Sequence, residues 1–302
     1  MPEVVVTTFY RFIRLEDPTS LRAGIETCCE QAGVRGIILL AEEGINATIA
    51  GERDGITAVL DFLQRDPRFA GLTVKESITR DPPFRKMRVR IKREIVTMGV
   101  PGIDPEHLTG TYVAPEDWNE LINDPEVIVI DTRNDYEVQI GSFRNAIDPD
   151  IRTFGQLPAW LAHRIDAGKQ PRVAMFCTGG IRCEKSTAYL KQVGVREVYH
   201  LEGGILRYLE RVPEAESLWH GECFVFDERV SVGHGLGVGS HDLCRACRRP
   251  ISESDKESDL HREGVSCPRC HAETTETQKA GFAERGRQVE IARSRGDRHL
   301  AD

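Results

Sequence analysis

The stretch that decides the fold is Val173-Ala174-Met175-Phe176-Cys177-Thr178-Gly179-Gly180-Ile181-Arg182-Cys183-Glu184-Lys185. Its apolar beginning predicts a buried strand and its end predicts a helix, so Cys177 falls at a strand-to-helix turn. Two glycines allow backbone N–H groups to converge on one point, and the helix N-terminus adds positive potential there. Such a turn can lower the pKa of a thiol from about 8.5 to roughly 3.5–7.5, which gives a nucleophile or sulfur carrier at neutral pH. The alternative is a buried cysteine that only packs after a core strand.

This turn matches the Cys-x-x-Gly-x-Arg pattern of rhodaneses, and the flanking sequence extends the resemblance. Residues 127–133 resemble their strand that ends in Asp-x-Arg, and residues 198–204 are similar to their last core strand and its Gly-Gly turn. One departure is Gly141-Ser142-Phe143, where rhodaneses usually have Gly-His-Ile. Rhodanese-fold phosphatases have one more residue between Cys and Arg, so the shorter loop argues against a phosphatase. The resemblance implies a central rhodanese-like α/β domain with a parallel sheet over residues 112–219.

Length and composition limit the remaining classes of protein. The chain has 302 residues, a net charge of −8 and nine cysteines, and its N-terminus lacks the pattern of a secretion signal. We therefore expect a cytoplasmic, reducing location, where the thiols serve metal binding or catalysis rather than disulfides. No apolar run is long enough to cross a bilayer, so no membrane partner is expected. The acidic balance leaves RNA contact to local basic patches.

Short alternating elements occupy the first hundred residues. The apolar patterns predict strands at 4–13, 36–41, 45–50 and 72–78, and helices at 18–31 and 56–64. The resulting order, βαββαβ, predicts a ferredoxin-like α+β domain over residues 1–100.

A basic run near the end of this region is Arg85-Lys86-Met87-Arg88-Val89-Arg90-Ile91-Lys92-Arg93. On a strand, its alternation puts cations on one face and apolar side chains on the other. Cations about 7 Å apart could follow an RNA phosphate backbone. Equally, such cations protect a sheet edge from aggregation, and the pattern leaves both interpretations open. The candidate RNA contacts, which we call the cation strip, are Arg85, Lys86, Arg88, Arg90, Lys92 and Arg93.

The C-terminal third contains four cysteines in two Cys-x-x-Cys pairs separated by nineteen residues: Cys244, Cys247, Cys267 and Cys270. Two such turns supply a tetrahedral all-sulfur site, which predicts structural zinc in a small four-cysteine module over residues 220–302. His241, His261 and His271 lie nearby and could each replace a thiolate, although an unliganded surface histidine is the simpler expectation.

Three further segments complete the organisation of the chain. Residues 101–115 are rich in Pro, Gly and Thr and are predicted to form a linker. Residues 221–230 are predicted to form a strand. Residues 275–295 have the mixed charge of a solvated helix, with RNA contact by its arginines as the alternative. Those arginines are Arg285, Arg287, Arg293 and Arg295.

Across nearly its whole length the chain resembles the bacterial tRNA uridine hydroxylase family, whose members contain a rhodanese domain. The matching pieces are residues 41–48, 84–92, 177–185, 203–206 and 223–227, and then the paired Cys-x-x-Cys. The resemblance implies that the partner is tRNA and that molecular oxygen, as co-substrate, converts its wobble uridine to 5-hydroxyuridine. No flavin or nicotinamide motif and no two-His-one-carboxylate iron set is present in the sequence. The oligomeric state is not indicated.

The same resemblance implies roles for three residues of the central loop. Cys177 would be catalytic, as a thiolate adduct or a persulfide, and Arg182 would hold the loop and neutralise negative charge. Cys183 could resolve an oxidised or persulfidated Cys177, or could simply pack within the helix. Two other functions use the same features: a sulfurtransferase that carries persulfide for tRNA thiolation or sulfur relay, and a non-catalytic module that binds RNA or protein. The intact Cys177 argues against the second of these.

Overall fold

A computed structural model describes residues 3–79, 83–227 and 229–295, apart from the side chains at positions 292 and 293. The chain divides into two compact units. The first comprises the chain up to Asn134 together with Asn145–Tyr208, and the second comprises Asp135–Arg144 and the chain from Leu209 onwards. Among the described residues, no helix has the length and apolar composition needed to span a membrane.

The N-terminal region follows the predicted order of strands and helices. Its elements are β1 (Val4–Phe12), α1 (Pro18–Gln31), β2 (Arg35–Ala41), β3 (Gly44–Gly51), α2 (Arg53–Gln64), β4 (Val74–Thr79) and β5 (Met87–Ile91), with a 3-10 helix at Pro67–Phe69. The sheet order β4-β1-β3-β2-β5 contains the antiparallel 4-1-3-2 arrangement that a ferredoxin-like domain requires. The predicted fold of this region is therefore confirmed, and β5 is an added edge strand that pairs in parallel with β2.

The two helices of this region join the sheet in one hydrophobic core. In α2, Ile56, Val59 and Leu63 are buried at helical spacing, and α1 contributes Ile25 and Cys29. Burial of one large aliphatic side chain stabilises the fold by roughly 1.5–3 kcal/mol, so this shared face holds the strands firmly in register. The strands of the sheet therefore hold their polar side chains in fixed positions.

β5 follows the predicted alternation only in part. Arg88 and Arg90 are exposed and Val89 is buried, as the pattern predicts, while Met87 is half-buried. Ile91, predicted to face the core, is 38% exposed. Ile91 is the last residue of this edge strand, whereas the buried Val89 lies at its centre.

The middle region contains the predicted parallel sheet. Its elements are β6 (Thr111–Val113), α3 (Pro115–Asn123), β7 (Val127–Asp131), α4 (Asp135–Val138), β8 (Gly141–Phe143), α5 (Leu157–Arg164), β9 (Arg172–Phe176), α6 (Ile181–Gln192), β10 (Val198–Leu201) and α7 (Gly204–Arg211), with 3-10 helices at Phe154–Gln156 and Ala167–Lys169. Four strands pair in parallel in the order β6-β10-β9-β7. The linker prediction for residues 101–115 is wrong at Thr111–Val113, because pairing with β10 makes these three residues an edge strand.

Apart from its last helix, the second unit is built from short elements. Its elements are α4 and β8 from the middle region, and β11 (Trp219–Gly221), β12 (Cys223–Phe224), β13 (Ser231–Val232), β14 (Asp242–Leu243), β15 (Pro250–Ile251), α8 (Glu253–Lys256) and α9 (Glu276–Ser294), with 3-10 helices at Glu214–Glu216 and His234–Leu236. β8 pairs with β11, and α9 confirms the helix predicted over residues 275–295.

The strand predicted over residues 221–230 is wrong. Gly221 has φ +80°, which ends β11, and the Val225 N–H donates to the Val230 carbonyl at 2.9 Å. The chain therefore folds back on itself, and β12 pairs with β13 as a tight hairpin. The apolar composition correctly predicted extended backbone at both ends of this segment, but it did not predict the turn of the chain between them. Glu228, which belonged to that predicted strand, lies outside the described residues.

Candidate active site

Cys177 follows the last residue of β9, and its thiol is held by its own turn. The side chain is 1% exposed. Gly180 has φ +105°, a conformation that glycine tolerates, and its N–H donates to Cys177 Sγ at 3.1 Å. Arg182, in the first turn of α6, donates to Thr178 Oγ1 at 3.3 Å. The turn therefore directs backbone N–H groups at the sulfur and places the positive charge of Arg182 nearby.

The surroundings of the two loop cysteines move their pKa values in opposite directions. Burial raises the pKa of the Cys177 thiol, but hydrogen bonds from Cys183 and Gly180 and the charge of Arg182 outweigh burial, so the pKa lies below its usual range. Burial and the neighbouring Cys177 thiolate raise the pKa of Cys183, whose Sγ lies 3.5 Å from Thr132 Oγ1. The loop thus brings together Cys177, Arg182 and Cys183, and its hydrogen bonds and charge favour the thiolate form of Cys177.

The turn between β10 and α7 supports the cysteine loop from behind. Ile205 N–H donates to the Cys177 carbonyl at 2.9 Å, and Leu206 N–H donates to the Thr178 carbonyl at 3.1 Å. Gly204 has φ +68°, and a Cβ at this position would lie 2.5 Å from the Cys177 carbonyl oxygen. Only glycine fits such a close approach of two backbones, so the two turns are packed main chain against main chain.

Glu184, the fourth residue of α6, forms a hydrogen-bonded cluster with two tyrosines, in which Glu184 and Tyr10 are half-buried and Tyr112 is exposed. Tyr10 of β1 donates from its hydroxyl to Glu184 Oε1 at 2.6 Å, and Tyr112 of β6 also bonds this carboxyl group. Burial raises the pKa of Glu184 by more than these hydrogen bonds lower it. Burial and the adjacent Glu184 also raise the pKa of Tyr10, so its hydroxyl remains a donor.

Lys185, the next residue of α6, binds the N-terminal region. Its side chain is 1% exposed, and Nζ donates to the two Glu43 carboxylate oxygens at 2.8 and 2.6 Å and to Glu94 Oε2 at 2.6 Å. The Val96 carbonyl accepts a further bond at 3.1 Å. Two carboxylates thus compensate one buried ammonium group, which ties the start of α6 to residues far away in the sequence.

Several of these contacts were not predicted from the sequence. Glu43 could have been found, because it lies within residues 41–48, one of the pieces that carry the family resemblance. Glu184 likewise lies within residues 177–185. Tyr10, Lys75 and Tyr112 belong to no motif, and only the fold brings them to the cysteine loop. Lys75 of β4, for example, donates to carbonyl groups of both turns described above.

The four paired cysteines meet at one point in the second unit. Their sulfur atoms all lie within 4.8 Å of one another, with 3.8 Å between Cys247 and Cys267 and 3.7 Å between Cys267 and Cys270. A tetrahedral zinc–thiolate centre, with Zn–S bonds of about 2.3 Å, has sulfur atoms about 3.8 Å apart. The cluster could therefore bind a metal ion. Within the described residues it includes no histidine, and His241 lies instead 2.7 Å from a Glu222 carboxylate oxygen.

The cation strip lies along and beside the edge strand β5. Arg85 is half-buried, and the other five residues are exposed. None of those five side chains forms an ion pair or hydrogen bond with a described residue, whereas Arg53 and Arg68 in the same region pair with carboxylates. These five exposed side chains are therefore available to an external anion.

The arginines of α9 are engaged within the second unit. Arg285 donates to the Arg245 carbonyl at 2.9 Å and lies over the Phe282 ring, and Arg287 pairs with Glu284 at 2.7 Å. These contacts favour the solvated helix over RNA contact for Arg285 and Arg287. The Arg293 side chain lies outside the described groups.

A central parallel strand that ends at a buried cysteine, followed directly by the N-terminus of a helix, defines a rhodanese-like catalytic domain, here joined to an acylphosphatase-like domain. Comparison with known families gives the same two parts. The UPF0176 acylphosphatase-like domain matches residues 4–95, and the rhodanese-like domain matches residues 114–211.

Full-length relatives identify the particular family. A tRNA uridine(34) hydroxylase of Albidiferax ferrireducens is 59% identical, over 99% of this chain and 95% of its own. Those of Acaryochloris marina and Teredinibacter turnerae are 56% and 53% identical, over 99% and 100% of this chain and 97% and 94% of their own. The chain therefore belongs to the tRNA uridine(34) hydroxylase family, as its sequence motifs predict.

Proposed function

We propose that this protein hydroxylates uridine 34, the wobble uridine of tRNA, to 5-hydroxyuridine, with molecular oxygen as co-substrate and Cys177 as the catalytic residue. The observation that carries the proposal is the 59% identity, over nearly the whole chain, with a relative named for this activity. The thiolate-stabilising loop supports it, because hydroxylation of a uracil ring calls for a group that activates C5. We also propose that the protein works in the cytoplasm.

The Cys177 thiolate can activate C5 by covalent addition to the ring. Attack of sulfur on C6 forms a C–S bond and moves the ring electron pair toward C5, which becomes enolate-like and reacts with oxygen. Loss of the C5 proton and departure of the thiolate then restore the ring. One oxygen atom stays on C5, and the other is reduced to water with two electrons and two protons from an external reductant such as a small thiol.

The neighbours of Cys177 fit supporting roles in this chemistry. The charge of Arg182 favours the thiolate and would also balance negative charge on the adduct. Cys183 is buried and bonds to Cys177, so it could resolve an oxidised or persulfidated Cys177 without a large movement. Helix packing is the alternative role, because the Cys183 side chain is also part of the core beneath the sheet.

Nucleoside mass spectrometry of tRNA tests the function directly. The tRNA would come from cells with the gene, cells without it, and cells without it that express the protein again. We expect 5-hydroxyuridine to disappear with the gene and to return with the protein. Thiolated uridine in its place would indicate a sulfurtransferase, and an unchanged nucleoside profile would indicate a binding module and contradict the proposal.

The cation strip is the surface that we propose for binding the tRNA backbone. Its exposed side chains lack partners among the described residues and are spaced along an edge strand, so they can follow successive phosphates. Phosphate contacts of this kind position an RNA without reading its bases. Protection of the β5 edge would explain the same residues, since β5 lies at the edge of its sheet.

Replacing Arg88, Arg90 and Lys92 together with glutamine should weaken tRNA binding and flatten its salt dependence. Losing up to three phosphate contacts should lower the log–log salt slope by on the order of 2–3 units. The measurement is a binding titration at several salt concentrations on monodisperse protein. A matched control replaces the exposed Arg164, Lys169 and Arg196 with glutamine, which removes the same charge elsewhere. An unaltered slope, with aggregation, would establish edge protection instead.

We propose that the four-cysteine cluster holds one structural zinc ion. Within the described residues, the buried members of the hydrophobic cluster at the cysteines are Ile251 and three of the four cysteines, so little apolar burial is available at this point to stabilise the two cysteine turns. Bound zinc would supply the missing folding energy by joining the two cysteine turns.

We also propose that the chain divides into three domains, at residues 1–100, 112–219 and 220–302. The last of these extends beyond the described residues.

Cys244→Ser or Cys267→Ser should release about one zinc per chain and loosen this module, while the rhodanese-like domain keeps its fold. The measurement is elemental analysis together with limited proteolysis of the purified protein. Cys28→Ser is the matched control, because Cys28 is a half-buried thiol of α1 outside the cluster. Wild-type protein that contains no zinc after purification without chelators would show the assignment to be wrong.

A further inference from the structure

Lys75, a residue of the N-terminal sheet, contacts both turns that surround Cys177. It lies on β4, and its Nζ donates to the Gly179 carbonyl at 3.0 Å and to the Gly203 carbonyl at 2.6 Å. Gly179 belongs to the cysteine loop and Gly203 to the turn after β10. One ammonium group therefore bridges the two loops on which the position of the thiol depends.

The contact at Gly179 acts on the peptide unit that binds the sulfur. The Gly179 carbonyl and the Gly180 N–H belong to the same planar peptide, and they point in opposite directions because the bond is trans. Lys75 bonds the carbonyl end at 3.0 Å while the N–H end bonds Cys177 Sγ at 3.1 Å. A cation on the carbonyl both orients this peptide and polarises it, which strengthens the N–H donor at its other end.

Tyr10 restrains the same peptide from a second direction. A Cβ added to Gly180 would lie 2.7 Å from the Tyr10 hydroxyl oxygen, so that hydroxyl is packed directly against the Gly180 Cα. Tyr10 is fixed there by its 2.6 Å bond to Glu184. The charged and titratable groups of the first unit that influence Cys177 or hold its loop are Arg182, Cys183 and Glu184 of α6, Tyr10 of β1 and Lys75 of β4.

We infer that Lys75 is a positioning residue for Cys177: through Lys75, the N-terminal sheet holds the Gly179–Gly180 peptide with its N–H on the catalytic sulfur. The N-terminal region thus contributes to the chemical step as well as to RNA binding. This inference deepens the proposed function and rests on it for the activity measurement, whereas the state of the thiol can be measured without any RNA.

The test compares wild-type protein with Lys75→Met, which keeps the length of the side chain and removes its charge. Thiolate absorbance is titrated against pH, and the curve of each protein's Cys177→Ala counterpart is subtracted to remove the contribution of the cysteines outside this loop. We expect the titration midpoint of Cys177 to rise by about one pH unit, because a donor and a nearby positive charge are weakened. In tRNA hydroxylation, kcat should fall on the order of tenfold with KM for tRNA unchanged, and Lys75→Arg should restore much of it.

Arg53→Met is the matched control, because Arg53 pairs with Glu76 beside Lys75 and has no bond to the cysteine loop. It should leave the Cys177 midpoint and kcat unchanged. Lys75→Gln provides a second neutral variant if Lys75→Met fails to fold. Coincident titration curves for wild type and a folded neutral variant would overturn the inference, as would a raised KM with unchanged kcat. If no variant or wild-type protein hydroxylates tRNA, the proposed function fails while the titration still decides the role of Lys75.

Discussion

Cys177→Ala should abolish hydroxylation of tRNA while leaving the protein folded. The substitution removes the sulfur on which the Gly180 N–H and the Arg182 charge converge, but it removes little packing volume from the buried loop. Loss of a catalytic nucleophile lowers kcat by several orders of magnitude in well-studied enzymes, so we expect a fall of at least about 10³. The measurement is 5-hydroxyuridine formed on purified tRNA, quantified by mass spectrometry.

Cys29→Ala is the matched control for this experiment. Cys29 is also a fully buried thiol, but it lies in the core of the N-terminal sheet, where burial raises its pKa. This variant should keep its activity. Full activity in folded Cys177→Ala would remove this thiol from the mechanism.

In the wild type, the lowered pKa of Cys177 should also sustain activity below neutral pH, because the thiolate persists there.

Lys185→Met should cause the largest loss of stability among the substitutions considered. It leaves Glu43 and Glu94, whose side chains are only 18% and 19% exposed, without the ammonium group that compensates them. Removing one partner of a buried ion pair costs about 3–5 kcal/mol, and we expect the free energy of unfolding to fall by that amount. The measurement is denaturant unfolding followed by circular dichroism.

Lys191→Met is the control, because Lys191 lies on the same helix and bonds only the Arg196 carbonyl, at 3.4 Å, among the described residues. It should unfold almost as the wild type does.

The effect of Lys185→Met should also depend on pH. Burial raises the pKa of Glu94, but Lys185 and backbone N–H groups together lower it by a larger amount. The pKa of Glu94 is therefore below its usual range. A carboxylate with a lowered folded pKa stabilises at neutral pH and ceases to do so in acid, so the two proteins should converge as the pH falls. Equal stability at neutral pH would contradict the prediction.

Local patterns predicted those parts of the fold that local forces determine. The helix predicted over residues 18–31 is α1 with the same bounds, because Pro18 can start a helix and the following residues favour it. The cysteine turn was predicted because strand, glycines and helix are consecutive in the sequence. Where pairing decided the structure, prediction failed: Thr111–Val113 is a strand only because β10 lies beside it.

The candidate site divides in the same way. Cys177, Arg182 and Cys183 lie within seven consecutive residues, so the sequence presents them together. Tyr10 and Lys75 come from β1 and β4, and 104 positions separate Lys75 from the Gly179 carbonyl that it bonds. No local pattern carries such a contact, because it exists only once two sheets have formed and packed. Polar residues on an otherwise ordinary strand thus gain a role that only the three-dimensional structure reveals.

The close packing of the turn at Gly204 against the Cys177 loop constrains how this protein could evolve. Adding one residue between Cys177 and Arg182, the step that would widen the loop toward a phosphatase, would displace the carbonyl groups that Ile205 and Leu206 bind. The neighbouring turn could not follow by substitution, because a side chain at position 204 would strike the main chain. A longer cysteine loop would therefore require a matching change in the turn between β10 and α7, so the two turns can change length only together.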